Sequence, residues 1–126
     1  MVAHAASKLM PINPERSDCM QEFETLYETI LDRRDNPQEG SYTCYLFDQG
    51  LDKILKKLGE ECAETIIASK NRNRREIVGE LADMAFHSAV LMAYLDILPG
   101  DVSAELARRA QKQGNLKQFK KVDKNT

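Results

Sequence analysis

The sequence predicts an all-α fold, a bundle of four to five helices, and three observations carry that prediction. Apolar residues recur at steps of three and four through most of the chain, the spacing that gathers them on one face of an α-helix. Breakers divide these periodic stretches at Asp35-Asn36-Pro37, Asn71-Arg72-Asn73 and Leu98-Pro99-Gly100. The one segment that would suit a short strand, residues 38–50, has no visible partner strand and reads as an ordered loop. A chain of 126 residues fits one domain and has no room for a second.

Residues 1–17, with Pro11, Asn13, Pro14 and Ser17 and little periodicity, read as a loosely attached arm. The first helix should start at Ser17 or Asp18, both good N-caps, and run to about Arg34. Met20, Phe23, Leu26, Tyr27, Ile30 and Leu31 lie on one side of it. After the loop, the second helix runs from about Asp48 to Lys70, with Leu51, Ile54, Leu55, Leu58, Cys62 and Ile66 as its apolar stripe. Gly59 within it reads as tolerance for a close helix approach.

The third helix runs from about Arg74 to Asp96 and is apolar nearly all round beyond Met84. Such a helix needs cover on every side, so a second copy of the chain is expected to bury Met84 to Leu95 in a homodimer. Asp101 reads as the N-cap of a fourth helix, with Val102, Leu106 and Ala110 inward. The helical domain thus spans 18–112, and the Lys-, Gln- and Asn-rich stretch 113–126 reads as a disordered tail.

Eighteen Lys and Arg against twenty Asp and Glu leave a formal net charge of -2, which gives no global attraction to nucleic acid or to an anionic membrane. Cys19, Cys44 and Cys62 are odd in number and lack metal-ligand spacing, so they read as reduced thiols, Cys44 and Cys62 as packing residues. The opening residues lack the basic start and apolar run of a signal peptide, and Met84 to Leu95 falls short of the ~20 residues of a membrane span. A soluble, cytoplasmic protein is expected.

The chemistry-bearing feature is acidic. Glu60, Glu61 and Glu64 stand on the second helix with no basic residue until Lys70, and Glu80 and Asp83 stand on the third. Glu61/Glu64 and Glu80/Asp83 are each three apart, one turn on a helix face, where like charges repel by roughly 0.2–0.5 kcal/mol when exposed and by more when buried. The short turn makes the two helices antiparallel, and both pairs lie about nine residues from it, ~13 Å of rise, so they come level. Facing carboxylates of this kind suit a hard divalent cation, with Mg²⁺ usually held by a few carboxylates, substrate phosphates and water.

Glu61 falls at the border of the apolar stripe, where it is partly desolvated. Lys57 and Lys53, one and two turns ahead of Glu61, are either phosphate contacts or surface lysines, and Lys57 could pair with Glu61. Lys70 and Arg74 beside the turn are the next phosphate candidates. His87, one turn past Asp83, is a ligand, a hydrogen-bond partner of the acids, or a satisfied core histidine.

Taken together, Ser41-Tyr42-Thr43, Leu46, Gly50, Lys56-Lys57-Leu58-Gly59-Glu60-Glu61-Cys62-Ala63-Glu64 and Glu80-Leu81-Ala82-Asp83 with His87 resemble the phosphoribosyl-ATP pyrophosphohydrolases of histidine biosynthesis. These are all-alpha, MazG-like nucleotide pyrophosphohydrolases, and the likeness covers about Phe23 to Arg109. The resemblance implies a helical homodimer that uses Mg²⁺ to split phosphoribosyl-ATP into phosphoribosyl-AMP and pyrophosphate. It also implies Glu61, Glu64, Glu80 and Asp83 as metal ligands; beside them, Ser41, Tyr42, Thr43, Lys53, Lys57, Lys70 and His87 are the candidate substrate-binding residues. Glu60, the acid left over, would then accept a proton from the attacking water. Two alternatives are a house-cleaning nucleoside triphosphate pyrophosphatase with the same acids and a non-catalytic helical dimer. A carboxylate-bridged iron protein would require Glu-x-x-His pairs, which these helices lack.

Overall fold

The computed structural model describes residues 14–112, with side chains from residue 21 onward; the arm up to residue 13, the side chain of Cys19 and the tail 113–126 lie outside the described residues. Five helices follow in order: α1 (Pro14–Asp35), α2 (Tyr42–Gln49), α3 (Leu51–Lys70), α4 (Arg74–Tyr94) and α5 (Pro99–Ala110). Helix α1 opens on Pro14 rather than at Ser17 or Asp18, as suits a residue with fixed φ and no N–H to satisfy.

The segment expected as a loop is helical. Its helix α2 is only eight residues long, too short for a stripe to announce it, and is fixed from its ends and from beneath. The Ser41 hydroxyl caps it by accepting from the Cys44 N–H at 3.2 Å, and Leu46 is fully buried. The Cys44 thiol donates to the Arg33 carbonyl at 3.3 Å and accepts from the Gln38 N–H, which ties α2 to the end of α1. Gly50 then turns the chain into α3 at φ 88°, a left-handed conformation that other residues rarely adopt, and so α3 starts at Leu51 rather than Asp48.

Helices α3 and α4 form the hairpin at the centre of the fold. Asn73 caps α4 by accepting from the Glu76 N–H, and Arg72 takes the positive φ of the turn, 55°. Tyr27, Ile30, Leu46, Ile54, Ala89, Val90 and Ala93 make the buried core, flanked by Phe23, Leu26, Leu31, Phe47, Phe86, Leu91 and Met92. Two polar ties lock α1 onto the end of α4. The Tyr27 hydroxyl donates to the Ile97 carbonyl at 2.8 Å, and Arg34 donates to the Ala93 carbonyl at 3.0 Å.

Among the described residues α4 alone would suit a membrane span by length and composition, but α1, α2 and α3 pack on it and Glu76, Glu80 and Asp83 occupy its first half. This packing changes the expected interface: much of Met84 to Leu95 is covered by the chain's own helices, with His87, Ala89, Val90 and Ala93 buried. Exposed apolar surface lies near the hairpin turn, where Ile66, Ile67, Val78 and Leu81 are 50–64% exposed, and also past the end of α4, where Tyr94, Leu95, Ile97 and Leu98 are 37–57% exposed. Three further expectations are corrected. Leu98 precedes α5 and Pro99 opens it, while Asp101 accepts from the Leu98 N–H from the third position. Val102 and Leu106 are exposed, because α5 lies at the edge of the bundle. A Cβ on Gly59 would meet nothing within 4 Å, so among the described residues no helix approaches it closely.

Candidate functional site

The α3–α4 hairpin brings the acids together. Carboxylate oxygens of Glu61, Glu64 and Glu80 lie within 4.8 Å of one another, a set of hard oxygen donors converging from two helices. Asp83, one turn along α4 from Glu80, is exposed and stands outside that trio, though its charge is felt at Glu61. One oxygen of Glu61 and one of Glu80 are buried with no hydrogen-bond partner among the described residues. An orphaned buried carboxylate oxygen is costly, and a cation is the partner that would satisfy both at once. The donor set therefore fits a hard divalent ion.

Without a cation, protons do that work. Glu80 is pushed from 4.5 up to about 7, first by a proton shared with Glu61, then by burial and by Glu64. Burial is the first cause raising Glu61, with the charges of Glu64 and Asp83 adding to it. The folded chain thus binds this Glu80 proton more tightly than the unfolded chain does, so the associated stability is full below the unfolded value of 4.5 and is lost as pH rises through about 7. In chelator, the melting temperature should fall across that window. Glu80→Gln should flatten this part of the profile, and calorimetry of both proteins checks it.

Lys57 pairs with Glu60 at 3.2 Å rather than with Glu61. This hydrogen bond holds the Glu60 carboxyl below its ordinary range and the Lys57 ammonium above. Glu60 so stays ionised next to the trio but is a weaker proton acceptor than a free glutamate. Lys53 lies at the Tyr45 ring, 5.9 Å from its centroid, and Lys70 is exposed in the last turn of α3.

His87 is 4% exposed and has both ring nitrogens engaged. Its Nδ1 lies 2.8 Å from the Asp83 carbonyl, which can only accept, so Nδ1 carries the hydrogen; in the neutral ring Nε2 is left to accept from the Tyr42 hydroxyl at 3.2 Å. The structure thus places His87 behind Tyr42, as a satisfied core histidine with no free nitrogen for substrate or metal. Ser41 spends its hydroxyl on the α2 cap, and Thr43 is half-buried in the first turn of that helix. Tyr42, in the first turn of α2, gives its hydroxyl to His87 and leaves its ring half-exposed. Tyr45 and Phe86, which flank Tyr42, escaped the sequence reading because their stacking depends on α2 being helical.

The family model for phosphoribosyl-ATP pyrophosphohydrolase matches residues 23–110. Among curated relatives named phosphoribosyl-ATP pyrophosphatase, that of Streptococcus thermophilus is 52% identical over 100 residues, 79% of this chain and 96% of the relative. That of Pelotomaculum thermopropionicum is 58% identical over 88 residues, 70% of this chain and 90% of its own. That of Geobacter sulfurreducens is 52% identical over 101 residues, 80% and 91% of the two chains. With helices, acid trio and sequence in agreement, this chain belongs to the phosphoribosyl-ATP pyrophosphohydrolase family.

Proposed function

We propose that this chain is an Mg²⁺-dependent enzyme whose acid cluster drives the family's reaction. That reaction hydrolyses the α–β phosphoanhydride of phosphoribosyl-ATP to phosphoribosyl-AMP and pyrophosphate, the second step of histidine biosynthesis. The observation that carries the reading is the convergence of Glu61, Glu64 and Glu80 with two orphaned buried oxygens, in a chain matched by that family over residues 23–110. Those three acids would hold the ion, with Asp83 one turn away completing the set. Bound there, Mg²⁺ would neutralise charge on the phosphates and make a water more acidic. Lys57 supplies positive charge to the leaving pyrophosphate, and Glu60, kept anionic by Lys57, orients the attacking water and accepts its proton only as that pairing loosens. Lys70 is a more distant phosphate contact. The reaction belongs to small-molecule biosynthesis, and a cytoplasmic setting fits it.

The homodimer is proposed on a different surface from Met84 to Leu95. Ile66 and Ile67 near the end of α3 and Val78 and Leu81 near the start of α4, at 64%, 60%, 57% and 50% exposure, flank the hairpin turn, and a second copy covering them would gain roughly 25 cal/mol per Å² buried. Light scattering should give twice the 14.3 kDa chain mass. A monomer at micromolar concentration contradicts it.

Lys57→Met should raise KM and lower kcat together, because the ammonium meets phosphate in both ground and transition states, while metal affinity in the free protein changes little. Lys53→Met, two turns from the acids, should do less. Steady-state kinetics with separate metal titration checks both. The function itself is tested by incubating the protein with Mg²⁺ and phosphoribosyl-ATP beside a panel of nucleoside triphosphates. Pyrophosphate release should be far faster from phosphoribosyl-ATP. Faster release from a canonical or deoxy nucleotide would make the protein a house-cleaning enzyme instead.

A further inference from the structure

Three aromatic rings run in a row from α4 onto α2, and the hydrolytic chemistry uses none of them. Phe86, Tyr42 and Tyr45 follow one another with centroids 6.0 Å apart at each step and interplanar angles of 26° and 23°. Deep in the row, His87 meets both Phe86 and Tyr42 edge-on and fixes the Tyr42 hydroxyl, so the position of the ring is set before any ligand arrives. At its outer end the row meets solvent: Tyr42 and Tyr45 are 45% and 43% exposed. They wall an open cavity of about 510 Å³ together with Gln38, Gly40, Ser41 and Asp48. A pre-set pair of half-exposed rings on a cavity is a stacking surface for a planar ligand.

We propose that Tyr45, backed by Tyr42, is the platform on which the purine base of the nucleotide substrate stacks. The proposal rests on the phosphoribosyl-ATP reading above and adds where the base goes. Lys53, Lys57 and Glu61 occupy successive turns of α3, so the Lys53 end stands ~12 Å of rise from the acids. A nucleotide with its α-phosphate at the acids has its ribose between that phosphate and its base, and the base then falls at the aromatic end. This assigns different tasks to the two lysines. Lys57, hydrogen-bonded within the acid cluster, meets phosphate; Lys53, whose ammonium lies 5.9 Å from the Tyr45 centroid, belongs to the base end, where it leaves the ring as the base arrives.

The test compares two inhibitors that share the site but differ in having a base. In wild-type protein turning over phosphoribosyl-ATP, the inhibition constants of AMP and of inorganic pyrophosphate are measured, then again in Tyr45→Ala and Tyr45→Phe. Tyr45→Ala should raise KM for phosphoribosyl-ATP and the AMP constant about tenfold, leave the pyrophosphate constant unchanged, and keep kcat within about twofold. Tyr45→Phe should behave as wild type, since the ring and not the hydroxyl is used. Circular dichroism melting shows whether Tyr45→Ala, at an exposed position, remains folded. An unchanged AMP constant in Tyr45→Ala, an equal rise for pyrophosphate, or a loss in Tyr45→Phe as large as that in Tyr45→Ala would each overturn the platform while leaving the hydrolase reading intact. A wild-type protein that releases no pyrophosphate from phosphoribosyl-ATP would overturn both.

Discussion

Glu80→Gln should abolish turnover while leaving the chain folded and more stable in chelator above pH 7. The amide keeps the shape of the side chain and can donate to Glu61, so the buried Glu61 oxygen that now lacks a partner gains a donor and one negative charge is removed. It removes one anionic ligand from a trio whose oxygens lie within 4.8 Å, and with it several kcal/mol of charge stabilisation on the phosphates. A loss of at least about a hundredfold in kcat/KM follows, at about 1.4 kcal/mol per tenfold. The sign of the stability change separates this account from a structural one. If Glu80 merely held the hairpin together, Glu80→Gln would lower the melting temperature in chelator; relief of repulsion among Glu61, Glu64 and Glu80 raises it. Glu61→Gln should behave in the same way. Stopped-time pyrophosphate assays beside calorimetry give both numbers.

The largest effect on stability should come from Leu46→Ala. Leu46 is 0% exposed and touches the core from the shortest of the packed helices, α2, which has little else to anchor it. Truncation should cost about 2–5 kcal/mol, a large part of the roughly 5–15 kcal/mol that holds a domain of this size. The urea midpoint should fall with an unchanged slope. Tyr42 and Tyr45 ride on the same helix, so KM for phosphoribosyl-ATP should rise even under conditions where the variant is folded. A variant with normal stability would mean that α2 is not held by Leu46.

The case of α2 shows where the sequence was readable and where it was not. Helices α1, α3 and α4 declare themselves by long apolar stripes and by breakers at Asp35-Asn36-Pro37 and Asn71-Arg72-Asn73. Helix α2 has no room for a stripe; what folds it is a cap from Ser41 and burial of Leu46 under α1, α3 and α4, neither of which has a periodic signature. The tyrosine row and the role of His87 were hidden with it. The acid trio was legible because its spacing along each helix and its distance from the turn are local quantities, and an antiparallel hairpin converts them directly into proximity. Lys57 was harder: Glu60 and Glu61 both lie within helical reach, and only the side-chain rotamers choose Glu60. The apolar faces misled most. Leu55, Ile66, Val102 and Leu106 are spaced as core residues are, yet they remain exposed in the single chain. Periodicity reports that a face needs cover, and does not say which chain supplies it.

The central claim, that these acids hold the divalent ion on which hydrolysis depends, is tested most directly by pyrophosphate release from phosphoribosyl-ATP as Mg²⁺ is titrated into chelator-stripped protein. The account predicts no turnover without the ion, saturable recovery as it is added, and no recovery at any concentration in Glu80→Gln. Turnover that persists undiminished in chelator, or that Mg²⁺ restores to Glu80→Gln as fully as to the wild type, would contradict it.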